Sequence, residues 1–222
     1  MKVCFVGDSH APTVFRCAAE AKGFEVVMRP EDAELVFVSQ DTPTDERGVR
    51  DLTGIRQMVY DTLKVTTGPV ILTSQVTPGV TRLFNESRLY HQAETLRIKD
   101  AFKRAMEPEQ AIIGAMTGLL YIPQAHFRLI EEYFCKFVKY PINVIWCSYE
   151  EAEFSKIAIN VTLANQVNNA TALAARAKEF GCNWETIKRI LRNDHRIGQA
   201  YLDPGNPLES RHILRDWRWF NG

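Results

Sequence analysis

Residues Glu151–Gly205 read EAEFSKIAINVTLANQVNNATALAARAKEFGCNWETIKRILRNDHRIGQAYLDPG and carry the features that decide the fold. Apolar and small residues recur near helical spacing in the first half of this segment, which predicts one long helix ending at Gly181, a favourable C-cap. Lys156 and Asn160 lie four residues apart and therefore share one face of that helix. An amine beside a carboxamide can bind a substrate hydroxyl and its developing oxyanion, whereas a helix that only packs does not need this pair.

The chain before this helix alternates short apolar strands with helices, which predicts a parallel sheet flanked by helices. We expect strands over Lys2–Val6, Glu25–Met28, Glu34–Ser39 and Pro69–Thr73, strand ends at Ala111–Ile112 and Asn143–Ile145, and helices over Val14–Lys22, Leu52–Leu63 and Phe127–Phe137. After the long helix we expect a second helix over Trp184–Leu191 and then an irregular tail. The expected organisation is an α/β sheet domain over residues 1–149 and a helical domain with a C-terminal tail over residues 150–222.

The composition excludes several classes of protein. Lysine plus arginine and aspartate plus glutamate each number 27, and this zero net charge disfavours nucleic acid as a partner. No apolar run reaches the roughly 18 residues of a membrane span, and the N-terminus lacks a signal-peptide pattern, so we expect a cytoplasmic protein without a membrane partner. The five scattered cysteines have no metal-ligand spacing, which predicts reduced thiols and no metal site.

Five blocks of this sequence resemble, in order and spacing, the UDP-glucose/GDP-mannose 6-dehydrogenase family. They are AELVFVSQDTPTDE (33–46), PVILTSQVTPGVTR (69–82), AETLRIKDA (93–101), PEQAIIGA (108–115) and, after the central helix, RIGQAYLDPG (196–205). The resemblance implies a trimmed Rossmann-like sheet for dinucleotide binding, then a long central dimerisation helix and a small helical cap. It also implies an oxidoreductase that uses NAD or NADP on the CH-OH group of a sugar or hydroxy acid, with a nucleotide sugar as one possible small-molecule substrate.

A homodimer is a further expectation from this resemblance, because the family's central helix forms its dimer. Small residues on the long helix permit close approach of a second helix, namely Ala158, Ala164, Ala170 and Ala174.

The expected cofactor loop follows the first strand. A G-x-G-x-x-G loop lets bare backbone approach a pyrophosphate at a helix N-terminus, but here the loop begins Gly7-Asp8-Ser9 and keeps only the first glycine. The second strand ends at Arg29, where an acid usually binds ribose, and an arginine there suits a 2′-phosphate. The expected cofactor-binding residues are Gly7, Asp8, Ser9, Arg29, Ser39, Thr42 and Ser74. The alternative is a strand–turn–helix kept for folding only. The few residues between the first helix and Ala33 also predict that the sheet lacks one strand–helix unit.

The resemblance assigns catalytic roles to four residues. Lys156 and Asn160 would hold the hydroxyl, Thr42 would lie near the nicotinamide and the reacting carbon, and Glu94 would act as a general base or orient water. Each has a simpler alternative: a solvated lysine on a helix, a proline-containing turn at Thr42, and a solvated glutamate in a charged run at Glu94.

The family's nucleophile is missing. Its four-electron oxidation uses the cysteine of G-x-C-x-P-K-D, and aligning His212–Asp216 with H-C-F-P-K-D places Ile213 at that cysteine. We therefore expect at most the first two-electron step. The alternative function is a non-catalytic nucleotide-binding or assembly protein derived from the family, and a third possibility is that a separate chain supplies the family's remaining domain.

Overall fold

A computed structural model describes residues 1–119 and 121–222. It contains seven strands, β1–β7, over Lys2–Val6, Glu25–Val26, Leu35–Val38, Val70–Leu72, Leu89–Gln92, Ala111–Leu119 and Val144–Ser148. Its helices α1–α7 cover His10–Ala21, Thr53–Val65, Ala101–Met106, Gln124–Cys135, Tyr149–Glu179, Trp184–Asn193 and Arg211–Asn221. The chain divides into two compact units: residues 1–43 with 50–156, and residues 44–49 with 157–222.

The seven strands of the first unit form one sheet in the order β2-β1-β3-β4-β5-β6-β7. All neighbouring strands pair in parallel except β5 and β6, which are antiparallel. An ordinary dinucleotide-binding sheet has a third strand beyond β2. Here β2 is the edge strand and the chain passes directly from it to β3 on the other side of β1. This order confirms the trimmed Rossmann-like sheet, with its missing unit after β2.

Alternating side chains of the central strands enter two separate cores, because successive strand residues point to opposite faces. On one face Val3, Phe37 and Ile71 pack with residues of α1, α3 and α4, including Ala18 and Phe134. On the other face the neighbouring positions of the same strands, Cys4, Val36, Val38, Val70 and Leu72, pack with Ile55 and Val59 of α2. The helices therefore cover both faces of the sheet and leave its carboxyl edge to the loops.

The strand β5 is absent from the sequence prediction, and with it the antiparallel pairing. Its residues Leu89-Tyr90-His91-Gln92 are half polar, so no apolar run marks them. Burial lowers the pKa of His91 to about 3, so this core imidazole is neutral at physiological pH. The packing of β4 and β6 on either side, and not the local sequence, makes this segment a strand.

The prediction of an irregular C-terminal tail is wrong, because residues Arg211–Asn221 form the helix α7. Its Asp216 is fully buried. Apolar residues recur at helical spacing along α7 (Ile213, Leu214, Trp217 and Phe220), a local signal that the sequence prediction did not use. The end of α5 agrees with the prediction: Gly181 has φ +67°, and the Cys182 N–H donates to the Ala177 carbonyl at 2.9 Å.

The second unit also explains the motif RIGQAYLDPG. Two residues of α5 bind its backbone: Gln166 Nε2 donates to the Ala200 carbonyl at 2.8 Å, and the Gly205 N–H donates to Thr171 Oγ1 at 2.9 Å. The motif thus lies along α5 as a strap. Within the described ranges, no helix combines the length and apolarity that crossing a bilayer requires.

Candidate active site

Gly7 ends β1 at the carboxyl edge of the sheet, where open α/β folds bind their ligands. Its φ is +126°, and a Cβ built at this position would lie 1.8 Å from the carbonyl oxygen of Ser39, the residue that follows β3. No side chain fits there, so glycine is required both for the backbone conformation and for the approach of the two strand ends. The structure therefore places Gly7 and Ser39 side by side at this edge.

The residues after Gly7 begin α1. Ser9 is the N-cap, and its Oγ is buried without a hydrogen-bond partner among the described residues. Asp8 and His10 are exposed. A helix N-terminus with a buried hydroxyl lacking a partner suits a phosphate oxygen, since the N–H groups and the dipole favour an anion. The exposed carboxylate of Asp8 opposes that preference.

Arg29 lies in the turn after β2 and is already bound to acids. Its guanidinium donates twice to the Asp32 carboxylate, at 2.9 and 3.1 Å, and lies 3.7 Å from Glu31. These contacts raise the pKa of Arg29, the hydrogen bond with Asp32 contributing most. The assignment of Arg29 to a 2′-phosphate stays a prediction, and it requires that the phosphate compete with Asp32 for the same donors.

Hydrogen bonds join the loops after β3 and β4. Ser74 Oγ donates to the Gln40 carbonyl at 2.7 Å and accepts from the Gln40 N–H at 2.8 Å, while Thr42 Oγ1 donates to the Gln75 carbonyl at 3.1 Å. Both Thr42 and Ser74 are buried. The structure thus brings three predicted cofactor residues, Ser39, Thr42 and Ser74, to one edge of the sheet, although 35 positions separate the first from the last in the sequence.

Glu94 follows β5, whose carboxyl end lies at the same edge because β5 runs parallel to β4. The side chain is half-buried, and its carboxylate accepts a hydrogen bond from the Leu96 N–H. Glu94 is therefore in a turn and not on an exposed helix, which removes the solvated-helix alternative for this residue. Its role as a base stays a prediction.

The helix α5 carries Lys156 and Asn160 one turn apart, as the spacing predicts. Its first turns pack closely on the sheet: a Cβ at Gly114 of β6 would lie 2.8 Å from the Ala152 Cβ and 3.0 Å from the Ser148 carbonyl. A larger residue at position 114 would push the start of α5 off the sheet. Lys156, half-buried, is the last residue of the first unit, and Asn160 belongs to the second.

Asp216 of α7 is a candidate site residue that the sequence prediction did not include. Within the second unit, Asn160 Nδ2 donates to Asp216 Oδ2 at 2.6 Å, and Arg215 Nε lies 3.2 Å from Asp216 Oδ1. The hydrogen bond with Asp216 orients the Asn160 carboxamide, because its nitrogen faces the Asp216 carboxylate and its oxygen therefore points away from it. The alignment of His212–Asp216 with H-C-F-P-K-D contained the signal, because it places the family's aspartate at Asp216.

Ile213, which the alignment places at the family's cysteine, lies on α7. Cys147 is a residue of β7, and its thiol lies 3.8 Å from the Ile113 carbonyl. Burial raises the pKa of Cys147 and of Cys4 to about 11, so both thiols are protonated at neutral pH. Cys17 and Cys182 are exposed.

Comparison with known proteins agrees with this geometry. A profile of the UDP-glucose/GDP-mannose dehydrogenase family, central domain, matches residues 150–220. UDP-glucose 6-dehydrogenase 1 of Glycine max is 23% identical over 193 residues, which cover 78% of this chain and 39% of that protein. The chain is similar to these dehydrogenases over the matched residues. It spans about two fifths of the length of the Glycine max enzyme, so that enzyme's activity is considered for this chain only as a proposal.

Two solved structures share the fold of this chain. A UDP-glucose dehydrogenase from the hyperthermophilic archaeon Pyrobaculum islandicum superposes with a TM-score of 0.75 at 18% identity, over 99% of this chain and 62% of that one. A 3-hydroxyisobutyrate dehydrogenase from Mycobacterium tuberculosis gives 0.70 at 13% identity, over 99% and 85% of the two chains. At these identities the likeness establishes the fold alone.

Proposed function

We propose that this chain is an NAD(P)-dependent oxidoreductase related to the nucleotide-sugar 6-dehydrogenases, acting on the CH-OH group of a sugar or hydroxy acid. The observation that supports it best is the carboxyl edge of the sheet. There Gly7 meets the Ser39 carbonyl, and the buried Ser9 hydroxyl at the start of α1 has no partner among the described residues. A pyrophosphate would give that hydroxyl an acceptor and the helix N-terminus an anion.

The residues at this edge fit a dinucleotide in two places. Gly7 and Ser9 would hold the pyrophosphate, while the joined loops with Ser39, Thr42 and Ser74 would line the ribose and nicotinamide side. Asp8 and Arg29 remain assigned to the cofactor by their positions in the sequence. When bound, NAD or NADP supplies the hydride acceptor for oxidation of an alcohol.

The substrate-side residues are assigned by their positions in the sequence. Lys156 would donate to the substrate hydroxyl and stabilise the oxyanion that forms as its proton leaves. Asn160 would supply a second polar contact, its carboxamide held by Asp216 at 2.6 Å. Glu94 would take the proton or orient a water molecule. With Ile213 in place of a thiol, the proposed reaction is a two-electron oxidation.

Calorimetric titration of the purified chain with NAD⁺ and with NADP⁺ tests the cofactor. We expect micromolar binding of at least one, and a preference for NADP⁺ would implicate Arg29 despite its contact with Asp32. Absence of binding by both would overturn the oxidoreductase and favour the second candidate, a non-catalytic nucleotide-binding or assembly protein. The specific observations that favour that candidate are the exposed Asp8 carboxylate and the engaged Arg29.

We also propose a homodimer formed through the second unit. Two of the four small residues expected at the interface, Ala164 and Ala170, are buried within the chain itself. The surface left for a second copy is instead apolar: Leu173 and Phe180 are 43% and 69% exposed, and Ile190 of α6 is 59% exposed. Light scattering at micromolar concentration should give twice the mass of the chain. A monomer at that concentration would contradict the proposal.

A further inference from the structure

Glu153 is a buried carboxylate on α5, one turn before Lys156. It is 1% exposed. Its Oε2 accepts from the Gly79 N–H at 2.5 Å, and its Oε1 accepts from the Thr81 N–H at 2.7 Å. Both oxygens therefore bind the backbone of the segment between β4 and β5. A glutamate is rarely buried in this way unless such donors compensate for its lost hydration.

The environment of Glu153 opposes its charge. Burial raises the pKa of Glu153, the neighbouring Glu150 raises it further, and the hydrogen bonds from Thr81 and Gly79 lower it. An apolar side chain would pack at this buried position without the cost of desolvating a carboxylate, so packing of α5 alone does not explain the glutamate. Its contact with the loop between β4 and β5 does explain it.

Glu153 holds one end of a loop whose other end lies in the candidate cofactor site. The loop follows β4 and begins at Ser74, whose hydroxyl donates a hydrogen bond to the Gln40 carbonyl. The carbonyl of the next residue, Gln75, accepts a hydrogen bond from the Thr42 hydroxyl. Among the described residues, two side chains contact the far end of the loop, Gly79–Thr81. One is Glu153, and the other is His91, whose Nδ1 lies 3.4 Å from Thr81 Oγ1. Gly79, with φ +93° and open space around it, adds no steric restraint of its own, whereas Val80 and Thr81 beside it are buried.

We propose that Glu153 is a positioning residue that ties the loop 74–81 to α5 and thereby sets the affinity of the sheet edge for its dinucleotide. This inference rests on the proposed function. Loss of the carboxylate frees the Gly79 and Thr81 amides, so the loop samples more conformations in the free protein. Cofactor binding must then order it, and this ordering weakens the affinity.

The test compares Glu153→Ala and Glu153→Gln with Glu179→Ala, which removes an exposed carboxylate from the last turn of the same helix. Two quantities are measured on the full chain: the Kd for NAD⁺ and NADP⁺ by calorimetry, and amide hydrogen exchange of residues 73–84 and of α1. We expect Glu153→Ala to raise the Kd about tenfold or more and to accelerate exchange in residues 73–84 but not in α1. Glu153→Gln should be intermediate, because its one carbonyl oxygen still accepts from one N–H. Glu179→Ala should match the wild type.

Each other outcome is decisive. If Glu153→Ala folds and binds with the wild-type Kd, the positioning role is wrong although the proposed function stands. If Glu153→Ala does not fold, Glu153→Gln decides, and a wild-type Kd with wild-type exchange in residues 73–84 overturns the role. If the wild-type chain binds neither dinucleotide, the proposed function fails and this inference fails with it.

Discussion

Gly7→Ala is expected to unfold the chain. The new methyl group would lie 1.8 Å from the Ser39 carbonyl oxygen, which is backbone and cannot rotate away, and the residue would have to keep a φ of +126°. Relief requires separating β1 from β3, which are paired neighbours in the sheet and are also joined by the hydrogen bond from the Ser39 N–H to the Val6 carbonyl at 2.9 Å. We expect the free energy of unfolding to fall by more than about 4 kcal/mol, the range of the most destabilising single substitutions. Urea denaturation followed by circular dichroism measures it.

Gly23→Ala is the matched control for this prediction. Gly23 also has a positive φ, +81°, and directly follows the C-cap of α1, but a Cβ there has no heavy atom within 4 Å. Its substitution should therefore lower the free energy of unfolding by the cost of backbone strain alone, about 1–2 kcal/mol. Equal losses for the two variants would mean that the contact with Ser39 does not restrict Gly7.

Lys156→Met is expected to remove most of the proposed activity. Methionine keeps much of the volume and helix propensity of lysine but cannot donate to an oxyanion, so kcat should fall by about 10²–10³. The measurement is NAD(P)H formation with UDP-glucose, GDP-mannose and a short hydroxy acid as trial substrates. The Kd for the cofactor should change less than threefold, since the role assigned to Lys156 concerns the substrate hydroxyl.

Lys178→Met provides the comparison on the same helix. Lys178 is exposed in the last turn of α5, so its loss should leave kcat near the wild-type value. If the Lys156→Met and Lys178→Met variants have the same kcat, Lys156 does not act on the substrate. The simpler alternative, a lysine on a helix without a catalytic role, would then hold.

Most of the fold could be predicted from the sequence because its elements have local causes. The central strands are apolar runs and the helices α1, α2 and α4 are amphipathic, so burial on both faces of a sheet follows from composition alone. Residues Leu89–Gln92 have no such cause, and this half-polar strand is stabilised by neighbours that are distant in the sequence. Residues Arg211–Asn221 do carry apolar residues at helical spacing, so the helix α7 was predictable from the sequence and was missed.

The candidate site divides in the same way. Gly7, Thr42 and Lys156 could be singled out because short motifs carry them, and the glycine's requirement is a property of its own backbone. The contacts of the site residues could not be predicted from the sequence, because they join positions 32, 33 and 56 residues apart. These contacts are Gly7 with Ser39, Thr42 with Gln75, and Asn160 with Asp216.

The sequence by itself determined the α/β class and the long helix with Lys156 and Asn160 one turn apart. These are local facts of periodicity and residue type, which need no knowledge of what packs where. Only the tertiary structure decided that Glu153 faces the loop after β4 and that Arg29 is engaged by Asp32. A charged side chain is buried only where hydrogen bonds and ion pairs offset the free-energy cost of its desolvation. Which donors and acceptors are available is decided by the packing of the whole unit.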